Sequence, residues 1–140
     1  MLHVGPVGAG TAAKLVANST LLGALGVLGE ALRLGQKLGL SPEATFEVLA
    51  ATPLAAQAER RREAFETGQY PLRFALALAL KDAELISAAA DGLDLKVAEA
   101  VRDWFAKAVE EGAGEDDYSS ILAVIASSGQ SDASNSSSTS

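Results

Sequence analysis

Between Leu15 and Leu34 polar residues are few, and Gly23-Ala24-Leu25-Gly26-Val27-Leu28-Gly29 has none. Glycine turns flank this run, Gly8-Ala9-Gly10 before it and Gly39 after it, which predicts one long helix over residues 11–37 with Gly39 as its C′ residue. A helix that is apolar on nearly every side is a buried central helix. Each mid-helix glycine costs about 1 kcal/mol against alanine, so close packing has to compensate, and small residues allow such packing.

The rest of the pattern is also helical. Ser41-Pro42-Glu43 has an N-cap, a first-position proline and a first-turn acid, and predicts a helix ending near Ala51. A third helix runs from about Leu54 to Glu66 and closes at Gly68. Leu72 to Leu80 alternates large and small residues, and we read it as an extended lead-in that becomes helical near Leu76 and continues to Asp91-Gly92. Asp94 is placed as the next N-cap, followed by Val97, Ala98, Val101, Phe105 and Ala108 on one face of a helix ended by Gly112. Asp117 caps a last short helix through Ile125. The expected architecture is an all-α domain of six helices over 11–126. Residues 1–10 are read as a strand stub and glycine turn, and 127–140 as a serine-rich tail too polar to pack.

Composition narrows the chemistry. The chain has 140 residues, 49 % hydrophobic but only 5 % aromatic, so the core must be built from Ala, Leu and Val. The net charge is −7, and the one basic cluster, Arg60-Arg61-Arg62, stands between Glu59 and Glu63. We read that cluster as a solvated helix face and expect no nucleic-acid partner. With no cysteine and one histidine, disulfides, zinc–thiolate sites and multi-histidine metal sites are excluded within one chain, and the chain fits a cytoplasmic protein. The apolar run from Leu15 to Leu28 falls short of the roughly 20 residues a bilayer span needs, so no membrane partner is expected.

Gly8-Ala9-Gly10-Thr11-Ala12-Ala13 fits the dinucleotide pattern G-x-G-x-x-G/A. The pattern needs a second strand ending in an acid about 20 residues on, and the acid at that distance, Glu30, lies inside the expected long helix. On these residues the turn favours entry into a packed helix over a pyrophosphate cradle. Lys14 and Asn18 lie about 40° apart on one helix face near its N-terminus. Positive charge is disfavoured there, which suits a lysine to exchange a proton with a substrate hydroxyl beside an orienting amide, although on these residues alone a snorkelling surface lysine is the favoured reading. Lys81 has Glu84 three residues on as a surface partner, and Trp104 reads as core or interface.

Taken in order, Gly8-Ala9-Gly10, Lys14, Asn18, Gly39-Leu40-Ser41-Pro42, Phe74, Lys81-Asp82 and Gly112-Ala113-Gly114-Glu115-Asp116-Asp117-Tyr118-Ser119 resemble the C-terminal helical domain of the β-hydroxyacid (3-hydroxyisobutyrate) dehydrogenase family. The resemblance covers nearly the whole chain apart from the tail. It implies Lys14 as the catalytic lysine, Asn18 and Gly10 in substrate binding, and Lys81 beside an NAD or NADP held mainly by a Rossmann domain that is not in this chain. The implied reaction is reversible oxidation of a small 3-hydroxy acid to its semialdehyde, with this domain binding substrate and forming a homodimer or higher homo-oligomer. Ala17 stands where 6-phosphogluconate dehydrogenases have histidine, which argues against that branch, and Lys14 argues against the imine reductases. A second reading of the same residues is a non-catalytic helical module for oligomerisation or partner binding.

Overall fold

Gly8 opens helix α1: its backbone is extended and its carbonyl accepts the Ala12 amide at 2.9 Å. The computed structural model describes residues 8–128. Helix α1 spans Ala9–Lys37, two residues longer at its start than the pattern predicts. It ends as predicted at Gly39, where φ is 92°: the Gly39 amide donates to Gln36 O (3.1 Å) and the Leu40 amide to Gly35 O (2.8 Å), which satisfies those two end carbonyls.

Helix α2, Pro42–Leu49, has the expected Ser41 cap, whose Oγ accepts the Ala44 amide at 3.1 Å. Helix α3, Ala55–Thr67, closes at Gly68 with φ 75°. Helix α4 is Leu76–Ala89, so the alternating stretch does turn helical at Leu76. Its free N-terminal amides are taken by a loop: Leu76 donates to Asp116 O (2.8 Å) and Ala77 to Gly114 O (2.9 Å). Helix α5 is Lys96–Glu110, and here the predicted cap is wrong. Leu95 holds the cap position without a side-chain bond, while the Asp94 carboxylate pairs with Lys96 at 2.6 Å. Helix α6 begins as a 3-10 turn, Tyr118–Ser120, capped by Asp117 as expected, and continues as α-helix over 121–128. It therefore passes residue 126: Ser128 is buried, and its hydroxyl bonds Val124 O and Lys107 Nζ. The strand stub and residues 129–140 lie outside the described residues.

The core draws on all six helices: Leu22, Leu25, Leu28 and Leu32 of α1, Phe46 and Leu49 of α2, Ala58 of α3, Leu76 and Ala79 of α4, Phe105 of α5, and Ile121, Leu122 and Ile125 of α6. Helix α1 is central but not buried all round, which corrects the reading of its pattern. At 100° per residue Leu22, Leu25, Leu28 and Leu32 face the other helices, while Val16, Val27 and Leu34, within about 20° of one another on the far side, are exposed. Gly10–Lys37 is also long and apolar enough to cross a membrane, contrary to the estimate from the run itself, but its inner face is taken up by protein.

The glycines of α1 serve the chain's own packing. A Cβ on Gly26 would meet Val101 of α5 at 3.3 Å, and one on Gly29 would stand 2.6 Å from Ile125 Cδ1 of α6. Gly23 alone of the three meets nothing within 4 Å. Gly26 and Gly29 are thus taken up by α5 and α6 of the same chain and leave no room there for a second backbone.

Candidate functional site

Lys14 and Asn18 extend the buried face of α1 beyond the core. With Leu21, Leu25, Leu28 and Leu32 they occupy about 80° of arc, so the face that is packed farther along becomes, at the N-terminal end, the wall of a cleft. The cleft holds about 320 Å³ and is also walled by Asp82 of α4, Arg60 and Arg61 of α3, Arg73 and Phe74 before α4, and Tyr118. Lys14 is exposed and Asn18 half-buried. Asn18 Nδ2 donates to Asp82 Oδ2 at 3.4 Å, a long bond that ties α1 to α4 and leaves the amide carbonyl and a second N–H for a ligand.

Asp117 organises the opposite end. Its side chain is 3 % exposed; Oδ1 accepts the amides of Arg73 (2.8 Å) and Phe74 (3.1 Å), and Oδ2 accepts the Ser119 amide (3.0 Å) and hydroxyl. Burial alone would push its carboxyl up. The Ser119 hydroxyl and the three amides outweigh that and hold it below the ordinary carboxylate value. The carboxylate thus fixes the segment carrying Arg73 and Phe74 against the start of α6. Phe74 meets the Tyr118 ring edge-on, with centroids 5.7 Å apart. Tyr118 in turn holds Arg61: its hydroxyl accepts from Arg61 Nη2 at 2.9 Å, and the guanidinium carbon stands 5.3 Å from the ring centroid.

The expected site residues divide. Lys14 and Asn18 come together in the cleft; Gly10 and Lys81 do not line it. Gly10 sits exposed in the first turn of α1 with open space around it. Lys81 is exposed on α4, and among the described residues it does not form the expected pair with Glu84. Glu30, the acid at dinucleotide spacing, is mid-helix and accepts from Trp104 Nε1 at 2.7 Å.

The arginines were read as a solvated face, and that is wrong for Arg61, which is 6 % exposed. A signal for it was present: Leu54, Ala58, Arg61 and Phe65 follow the 4-3-4 spacing of one helix face, and the other three are all packed on or in the core. Asp82 and Tyr118 join the cleft for a similar reason, each lying on the inward face of its element.

The model of the family described as NAD-binding of NADP-dependent 3-hydroxyisobutyrate dehydrogenase matches residues 8–125, nearly the whole helical fold. The chain belongs to the 3-hydroxyisobutyrate dehydrogenase family. A curated relative, 2-(hydroxymethyl)glutarate dehydrogenase of Eubacterium barkeri, is 35 % identical over 127 residues, which cover 87 % of this chain and 42 % of that protein. The Salmonella typhimurium 3-hydroxyisobutyrate dehydrogenase shares the fold, with a TM-score of 0.73 at 24 % identity over 84 % of this chain and 42 % of its own. The Mycobacterium tuberculosis 3-hydroxyisobutyrate dehydrogenase, in its structure with L-serine, gives 0.71 at 26 % identity over 89 % of this chain and 46 % of its own. The chain spans less than half the length of these relatives.

Proposed function

We propose that this chain is the substrate half of an NAD(P)-dependent 3-hydroxyacid dehydrogenase, and that the cofactor is held mainly by a part of the enzyme outside it. The observation that carries the reading is the meeting of Lys14, Asn18 and Asp82 in one cleft of a chain that belongs to this family. Helices alone among the described residues offer no βαβ unit for a dinucleotide. Lys81, an exposed cation one residue from the cleft-lining Asp82, fits a single contact to an anionic cofactor edge.

Bound NAD or NADP supplies the two-electron acceptor for the carbinol hydride. The residues of this chain handle the rest of the balance. Lys14 takes the proton of the 3-hydroxyl as the carbonyl forms, and returns it in the reverse direction. Asn18, held by Asp82, hydrogen-bonds the same oxygen and fixes its direction toward Lys14. The exposed apolar line of Val16, Val27 and Leu34 on the outer side of α1 supports a homodimer through this helix, which sedimentation at micromolar concentration reads directly.

The test is Lys14→Ala in the complete enzyme. Turnover of a small 3-hydroxy acid should fall by about 100-fold or more with cofactor affinity nearly unchanged, because Lys14 acts on the proton and not on cofactor binding. Near-native turnover would overturn the assignment.

A further inference from the structure

Tyr118 stands in the Lys14–Asn18 cleft at the start of α6, and the fold fixes it from three directions. Its amide donates to Phe74 O at 2.7 Å, its ring meets the Phe74 ring edge-on, and its hydroxyl oxygen accepts from Arg61 Nη2 at 2.9 Å. A guanidinium can only donate, so the phenol is the acceptor in that bond and its own proton is turned away from Arg61. No described residue accepts that proton. Asp82, the one carboxylate on the cleft wall, accepts from Asn18 instead. Tyr118 therefore brings a hydrogen-bond donor to the cleft that the chain itself does not use.

The surroundings select what takes that proton. The bond from Arg61 polarises the phenol, and a hydroxyl that accepts from a cation is a stronger donor in turn. Lys14 and three arginines face one carboxylate, Asp82, across the cleft of a chain with net charge −7, and such a focus attracts small anions. Arg60 and Arg73 are less suited to fix an anion in one place. Both are exposed, where a charge pair is screened and costs side-chain entropy. Both also line an adjoining cavity together with Glu63, an acid of the same chain. Tyr118 has little freedom left to lose, since Phe74 and Arg61 already hold its ring. We infer that Tyr118 is a substrate-binding residue, whose hydroxyl donates to the carboxylate of the 3-hydroxy acid while the 3-hydroxyl lies at Lys14 and Asn18. This rests on the reading of the cleft as a substrate site, and it adds the residue that separates an acid from a neutral analogue of the same shape.

Titration of the 140-residue chain with 3-hydroxypropanoate and with 3-hydroxypropanamide, followed by NMR at low ionic strength, tests it. The acid should bind more tightly than the amide. In Tyr118→Phe the acid should lose about 10-fold, the size of one charge-assisted hydrogen bond, and the amide about 3-fold or less. That substitution takes the acceptor from Arg61, so a second measurement covers the case in which it unfolds the chain. The chain has two tyrosines, and 3-fluorotyrosine in both gives two fluorine resonances that Tyr70→Phe assigns. The Tyr118 resonance should move as the acid binds, while that of Tyr70, whose hydroxyl is buried away from the cleft, should not. No binding of the acid at tens of millimolar, or an acid titration that leaves the Tyr118 resonance in place, would overturn the inference. So would an unchanged acid preference in Tyr118→Phe, which would give the carboxylate to the exposed arginines. Failure of the Lys14 assignment is separable: Lys14→Ala can keep its turnover while the acid preference still depends on Tyr118.

Discussion

Asp117 ties the arginine end of the cleft to the fold, and it does so as an anion. Its folded value lies below the ordinary one, so its stabilisation is complete above the unfolded value of about 3.9 and is lost as pH falls through the lower folded value. The stability advantage of the native chain over Asp117→Asn, measured by urea unfolding, should be largest near neutrality and shrink below about pH 4. A difference that stays constant from pH 7 to pH 2 would show that the carboxylate charge is not what holds Arg73 and Phe74 in place. At this scale the sequence was readable where one residue type has one use. Asp117 before Tyr118-Ser119 is a cap, and the structure has it as one. Arg61 was not readable in the same way. Its periodicity places it inward, its charge and its acidic neighbours argue outward, and only packing against Tyr118 decides between them.

Among the elements, α1 shows how one apolar run divides into two faces. Apolar residues stand on both faces, leucines inside and Val16, Val27 and Leu34 outside, so apolar periodicity does not separate the side that α2, α4, α5 and α6 cover from the side they leave open. The glycines separate them by experiment. Gly29→Ala would put a methyl against a fully buried Ile125, including its Cβ at 2.9 Å, and should cost about 1–3 kcal/mol by overpacking. Gly23→Ala meets nothing and should stabilise the isolated chain by about 0.5–1 kcal/mol through helix propensity. Thermal unfolding of the two variants checks the pair, and equal effects would mean that α6 does not pack where the structure has it. Helix ends were legible wherever glycine adopts positive φ, at Gly39, Gly68, Gly92 and Gly112. The start of α5 was not, because Asp94 and Leu95 both precede the first turn and the nearby Lys96 draws the acid away from the cap.

For the whole molecule, the six-helix order and the pairing of Lys14 with Asn18 were legible because both depend on spacing along single helices. The cleft itself was not, since it forms only when α3, the segment before α4, and α6 converge on the end of α1. The central claim is a division of labour, in which these helices handle substrate and proton while another part of the enzyme binds the dinucleotide. Calorimetric titration of the 140-residue chain with NADH and NADPH addresses it most directly. The account predicts no binding tighter than about millimolar, roughly −4 kcal/mol, for either cofactor. Micromolar binding of either one by these helices alone would contradict it.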